Sequence, residues 1–220
     1  MARDGAALRA AAGIAGLAAA AAAAASLRDP LASMASYTGA LMALNQLVPP
    51  LLLAALPRSR SAAVGAAAVL FDPILSLATF GALSAAVSLP GLLNPTLAGA
   101  LYAAPLGALE LLTGLMIWAQ VMPATRRIHA DWRVALLVWV GTLPMTVVAV
   151  VWMMAPAVIY TPYLDVICRW DVPPLVDQKW AGFVMLVAGM PLQLAAAWVL
   201  LGLGESTTAR RPGDTGRCAA

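Results

Sequence analysis

Long apolar runs, broken by short clusters of Arg, Asp, Asn and Pro, make up most of the chain. The runs are continuous rather than alternating. They therefore read as helices and exclude a β-barrel, whose strands would switch face at every residue. A helix needs roughly 17–25 apolar residues to cross a bilayer. Six runs meet that requirement: Ala6–Leu27, Leu31–Leu56, Pro73–Leu89, Leu97–Val121, Val134–Val158 and Trp180–Leu203. The breaks carry helix punctuation. Arg28-Asp29-Pro30 and Pro57-Arg58-Ser59-Arg60 close the first two runs. Asp72-Pro73 reads as a helix start, with Asp as N-cap and Pro at the first helical position. Asn94-Pro95 is expected to open the fourth span in the same way. Residues 62–71 then form a short interfacial helix. The alternative is one long tilted helix, which would bury a lone Asp72 at high cost. The pattern thus predicts an all-α polytopic integral membrane bundle of about six transmembrane helices over residues 1–204. A polar, Gly- and Arg-rich tail, 205–220, is expected to be disordered.

Composition removes the soluble alternatives. Of 220 residues, 62% are hydrophobic and 10% charged, with a mean hydropathy of +0.86. Soluble domains carry about 25% charged residues. A soluble enzyme, a nucleic-acid reader and a disulfide-stapled secreted domain are excluded, and membrane lipid is the expected surround. The net charge of +3 reflects loop residues rather than a nucleic-acid surface. Ten of the thirteen Lys and Arg residues fall at the two ends and in the two–three and four–five loops. The positive-inside rule then expects both termini on the cytoplasmic side of a bacterial inner membrane. The first run is mostly alanine, with a basic start and small residues near Ala25-Ser26, so a signal peptide is the alternative to a retained helix. Its length favours the retained helix.

Few residues offer chemistry. Cys168 is expected outside and Cys218 inside, so the two cannot pair within one chain. His129 is the single histidine, in a basic loop, and one imidazole cannot build a histidine-rich metal site. Glu110 lies mid-span, where an ionisable group is costly and marks function or helix-to-helix hydrogen bonding. Asn45, Gln46 and Gln193 are its candidate partners. Ten methionines raise copper(I), since thioether is a soft ligand. Met34, Met153, Met154 and Met185 are the candidates, all in the outer halves of their spans. Gap-filling in the core is the competing and favoured reading. The five–six loop carries Tyr160, Tyr163, Asp165, Cys168, Trp170 and Asp171, and Asp177 is expected to cap the sixth span. Its acidic face suits a cation or a basic partner surface, against the plainer reading of a solvated connector.

At this loop a family resemblance emerges. Asp177-Gln178, then Ala181-Gly182 and Met185, resembles the D-Q-x-x-A-G-x-x-M signature of the polytopic CtaG-type cytochrome c oxidase assembly factors. Val48-Pro49-Pro50-Leu51-Leu52-Leu53, Ala108-Leu109-Glu110, Leu143-Pro144-Met145 and Tyr160-Thr161-Pro162-Tyr163 resemble further family segments, in family order, across roughly Leu31–Leu203. The chain departs from the family at its histidines. Leu111 follows Glu110, Val87-Ser88-Leu89-Pro90 replaces W-H-x-P, and Tyr37–Gln46 contains no His. The resemblance implies a non-enzymatic membrane assembly factor for a haem–copper cytochrome c oxidase, with oxidase subunits as partners and copper as the metal concerned. On that reading Glu110, Tyr160, Tyr163, Asp177 and Gln178 are the surviving functional residues. The competing expectation is a small transporter or channel, with Glu110 as coupling group and helices broken at Pro105, Pro144 and Pro191. A membrane enzyme ranks last, for want of polar groups at one depth.

Overall fold

The computed structural model describes residues 2–56, 72–97, 99–122, 131–164 and 170–201. The expected tail, the interfacial helix at 62–71, His129, Asp165, Cys168 and Cys218 lie outside the described residues. The architecture is all-helical. Helix α1 spans Ala2–Ser26. Helix α2, Met34–Met42, passes through a π-helical turn at Ala43–Leu47 into α3, Val48–Ala55. Helices α4, Pro73–Ala86, and α5, Pro90–Thr96, precede α6, Ala100–Val121. The long pair α7, Asp131–Met154, and α8, Pro174–Leu200, completes the bundle.

Among the described residues five helical segments are long and apolar enough to cross a membrane, where the sequence predicted six. The difference lies in the third run. Helix α4 has 14 residues, or about 21 Å at 1.5 Å per residue, short of the ~30 Å apolar core. Pro90 ends the run early, because it forces a new helix start two turns before the next long helix. Asp72 does cap α4, accepting from Ile74 N at 2.9 Å and Leu75 N at 3.0 Å. Asn94-Pro95, expected to open the fourth span, instead lies inside α5, and α6 begins at Ala100. The fifth span stops at Met154 rather than Val158 because Ala155 precedes Pro156, and a residue before proline leaves the α region. The sixth span starts at Pro174, six residues earlier than expected, with proline in its favoured first position.

The prolines expected to break helices do not. Pro105, Pro144 and Pro191 lie inside continuous helices. Pro49 and Pro50 act instead on the turn before them. They have no N–H to donate to the carbonyls of Asn45 and Gln46, so the helix widens into the π turn there. The freed Asn45 carbonyl faces Gly114 of α6, where an added Cβ would lie 2.4 Å away.

Helices α7 and α8 form the most extensive pair, joined by close approach at Gly182, whose added Cβ would lie 2.7 Å from Ala149 O. Helix α2 packs on α8, α4 on α6 and α7, and α1 on α3 at the bundle's edge. Two apolar cores result. One surrounds Tyr37, Leu44, Val48, Trp152, Tyr160 and Tyr163; the other surrounds Phe80, Ile117, Val134, Val138 and Leu192. The first lies towards the end where Tyr160 and Tyr163 sit, called the cap end below.

Candidate functional site

The cap end is tied together by buried side chains. Asp177 lies in the first turn of α8, but it does not cap its own helix as expected. Its carboxylate closes the start of α2. Ser33 Oγ donates to Oδ1 at 2.8 Å, Met34 N to Oδ2 at 2.5 Å and Ala35 N to Oδ1 at 3.3 Å. The correction follows from the earlier start of α8, which moves Asp177 past the cap and turns it towards the neighbour. Helix starts expose unpaired N–H groups and positive dipole ends, so one buried carboxylate here meets both helix starts. Ser33 completes the cap by accepting from Ser36 N at 3.2 Å.

Gln178, fully buried, holds the α7–α8 connection. Its Oε1 accepts from Ile159 N at 2.8 Å, and its Nε2 donates to Trp152 O and Ala157 O at 3.5 Å. Tyr160 donates to Ser88 O at 2.8 Å and Tyr163 to Pro30 O at 2.6 Å. Two tyrosines thus pin this connection to the α4–α5 turn and the α1–α2 turn. Burial pushes the Tyr160 phenol up to about 12, and its ring stands edge-on to Trp152 at 5.4 Å.

Beneath the cap lies Glu110, 3% exposed. Asn45, in the π turn, donates from Nδ2 to Glu110 Oε2 at 2.7 Å and to the Glu110 carbonyl at 3.2 Å. Gln46 Nε2 donates to Asn45 Oδ1 at 2.6 Å. Of the three expected partners, Asn45 bonds Glu110 directly and Gln46 reaches it only through Asn45. The third, Gln193, bonds Thr146 instead. π turns recur at functional positions because they re-aim side chains, and this one aims Asn45 across the bundle.

Glu110 also lines a cavity of about 30 Å³, together with Met34, Tyr37, Met42, Trp152, Tyr163 and Met185. Of the four methionines singled out from sequence, the structure brings Met34 and Met185 to this cavity. Met153 packs against Gly182, and Met154 is 76% exposed. Met42, on the same helix as Met34, takes a place at the cavity that sequence reasoning did not assign. Its signal was a second methionine two turns further along one helix. Ser33 and Trp152 were also missed, since neither residue type marks a tertiary cap. Among the described residues no group of three or more His, Cys, Asp or Glu side chains converges. A larger groove of about 440 Å³ between α1 and α6 is lined by Ala20, Ala24, Ala104 and other small apolar residues, with Arg28 at its rim.

A family model described as cytochrome c oxidase caa3 assembly factor (Caa3_CtaG) matches residues 2–203. The chain belongs to that family. No curated protein and no solved structure shows a significant match to it. The family assignment agrees with the resemblance drawn from the ordered motifs, and the geometry gives those motifs physical content. The proline pair creates the π turn, and Asp177-Gln178 builds the cap. Val87 and Ser88, which stand where the resemblance expects Trp and His, line the same cavity as Glu110.

Proposed function

We propose that this protein is a non-enzymatic membrane assembly factor for a haem–copper cytochrome c oxidase, acting while an oxidase copper centre matures. The family match over residues 2–203 is the observation that carries the assembly role. The cap end is the face proposed to hold an oxidase subunit. Its support is rigidity: Asp177, Gln178, Tyr160 and Tyr163 tie the α1–α2, α4–α5 and α7–α8 connections together with hydrogen bonds, and rigid elements make precise docking faces. Trp170 and Trp180 are exposed there, and Trp180 stacks edge-on with Phe183 at 5.6 Å. Aromatic residues of this kind serve both a headgroup zone and a protein partner. The proposed setting is a bacterial inner membrane with both termini cytoplasmic, which the distribution of Lys and Arg supports and which counts the short helix α4, leading to Ser88 at the cap end, as a sixth crossing.

The test is a deletion strain read by oxidase haem spectra and copper content, with cross-linking of the tagged protein in membranes. Loss of oxidase copper and capture of an oxidase subunit are expected. Normal oxidase metal content with no oxidase subunit captured would overturn the reading. A second reading, passage of an ion past Glu110, draws on the buried carboxyl group in the cavity wall. It requires Glu110-dependent flux in proteoliposomes.

A further inference from the structure

The groove between α1 and α6 belongs neither to the cap nor to the Glu110 cavity, with which it shares no lining residue. Its volume of about 440 Å³ falls among those of small-molecule sites. Ala20 and Ala24 form one wall, Ala104 and Ala108 the other. The floor is closed at Gly107, where an added Cβ would lie 2.6 Å from Leu27 and 3.2 Å from Leu44. Both helices bring one end of the groove towards the cap. Tyr163 bonds Pro30 just after α1, and Asn94, just before α6, donates to Thr161 at 3.3 Å. At that end the groove is lined by Ala100 and by Arg28, which is exposed. Along α6 it runs from Ala100 to Leu111, or about 16 Å at 1.5 Å per residue. That is close to half of the ~30 Å apolar core, the depth of one leaflet. Further from the cap α1 closes on α3 instead: a Cβ added at Gly16 would meet Leu52 at 3.0 Å, and one at Gly13 would meet Ala55 at 3.2 Å.

Depth, wall and charge together select the occupant. A wall of Ala, Gly and Leu offers a polar solute nothing to bond, and Arg28 is its one polar side chain. A spanning helix from a partner needs a trough through the whole core, and this one ends midway. An acyl chain needs one leaflet's depth and an apolar wall. An arginine at the mouth lays its stem on apolar surface and carries its guanidinium to the headgroups, where it meets phosphate with good geometry. Arg28 forms no ion pair among the described residues, and Asp29 beside it does not line the groove. We propose that this groove binds one anionic phospholipid from the leaflet at the cap end, with an acyl chain between α1 and α6 and the phosphate paired with Arg28. The site needs only that the bundle sits in lipid, so it stands apart from the assembly reading.

The test uses the full chain, delipidated in detergent and titrated with phosphatidylglycerol or phosphatidylcholine, with bound lipid counted by native mass spectrometry. One phosphatidylglycerol per chain is expected to persist when the looser lipids are stripped. Ala24→Leu with Ala104→Leu fills the groove and should abolish that retained lipid. Arg28→Gln leaves the groove open and should cut the preference for phosphatidylglycerol over phosphatidylcholine by about fivefold, the scale of one arginine beside an anionic headgroup. Leu194→Ala, on the exposed outer face of α8, should change nothing. A photoreactive side chain at Ala104, in vesicles of the two lipids, should capture lipid. The proposal is overturned if the folded, filled variant retains lipid as the parent does, or if Arg28→Gln keeps the full preference. Capture of a second copy of the chain, or of another protein's helix, at Ala104 would overturn it equally.

Discussion

The two halves of the bundle are held by different forces. The cap half contains Asp177, Gln178, Asn45 and Glu110, all buried and all bonded across elements distant in sequence. In the opposite half Phe80, Ile117, Val138 and Leu192 form an apolar core, with Gln193 bonded to Thr146 across α7 and α8 beside it. There Thr142 returns its hydroxyl to its own helix, to Val138 O at 2.9 Å and Trp139 O at 3.1 Å. In lipid, apolar packing alone gives little specificity, because the tails are as apolar as leucine. Position along the bundle is therefore set by the polar bridges of the cap half. The other half follows by close packing.

That contrast breaks first at Asp177. Asp177→Ala leaves three donors at the start of α2 without their acceptor. It should destabilise the protein by about 3 kcal/mol, the scale for hydrogen bonds to a buried charge. A thermal melt in detergent reads it, and a shift no larger than that of Thr142→Val would refute the role given to the cap. Next comes Gly114→Ala. Its Cβ would meet Asn45 O at 2.4 Å, so α6 must move from the π turn at a cost of about 2 kcal/mol. The Asn45–Glu110 bond should loosen with it, visible as altered reactivity of a cysteine placed at Met42.

The pH dependence sharpens the comparison further. The Tyr160 phenol is pushed up to about 12 by burial, while an unfolded tyrosine titrates near ~10. Because the folded value is the higher one, this contribution is complete below pH ~10 and is lost as pH rises towards ~12. Part of it is lost by pH 11, and Tyr160→Phe should flatten that fall in melts run from pH 8 to 11. Tyr163→Phe removes one bond, to Pro30 O, and should cost about 1 kcal/mol. The smallest effect belongs to the opposite half. Thr142→Val deletes bonds to carbonyls already served by the helix ladder and should stay within about 0.5 kcal/mol.

Much of this was legible in the chain. The apolar runs located five of the long helices to within a few residues, because each boundary is a local event at Pro, Asp or Gly. Glu110 stood out because a mid-span carboxyl is rare on energetic grounds alone. Asn45 and Gln46 were plausible partners since depth along a span can be counted. The copper candidates were less legible. Met153 and Met154 are adjacent, so one of them must point away, but which methionines meet across helices depends on rotation about each axis. Asp177 looked like a cap for its own helix, since sequence shows only neighbours along the chain.

The amino-acid sequence by itself determined the solvent, the helices and the costly residues, because hydropathy, proline geometry and charge burial act over a few residues at a time. The tertiary structure decided which helix start Asp177 closes, which methionines share a wall with Glu110, and that Asn45 reaches it through a widened turn. Those outcomes depend on how whole helices rotate and approach, and in a bilayer that is settled by close packing at Gly114 and Gly182 and by the few polar groups that must find partners.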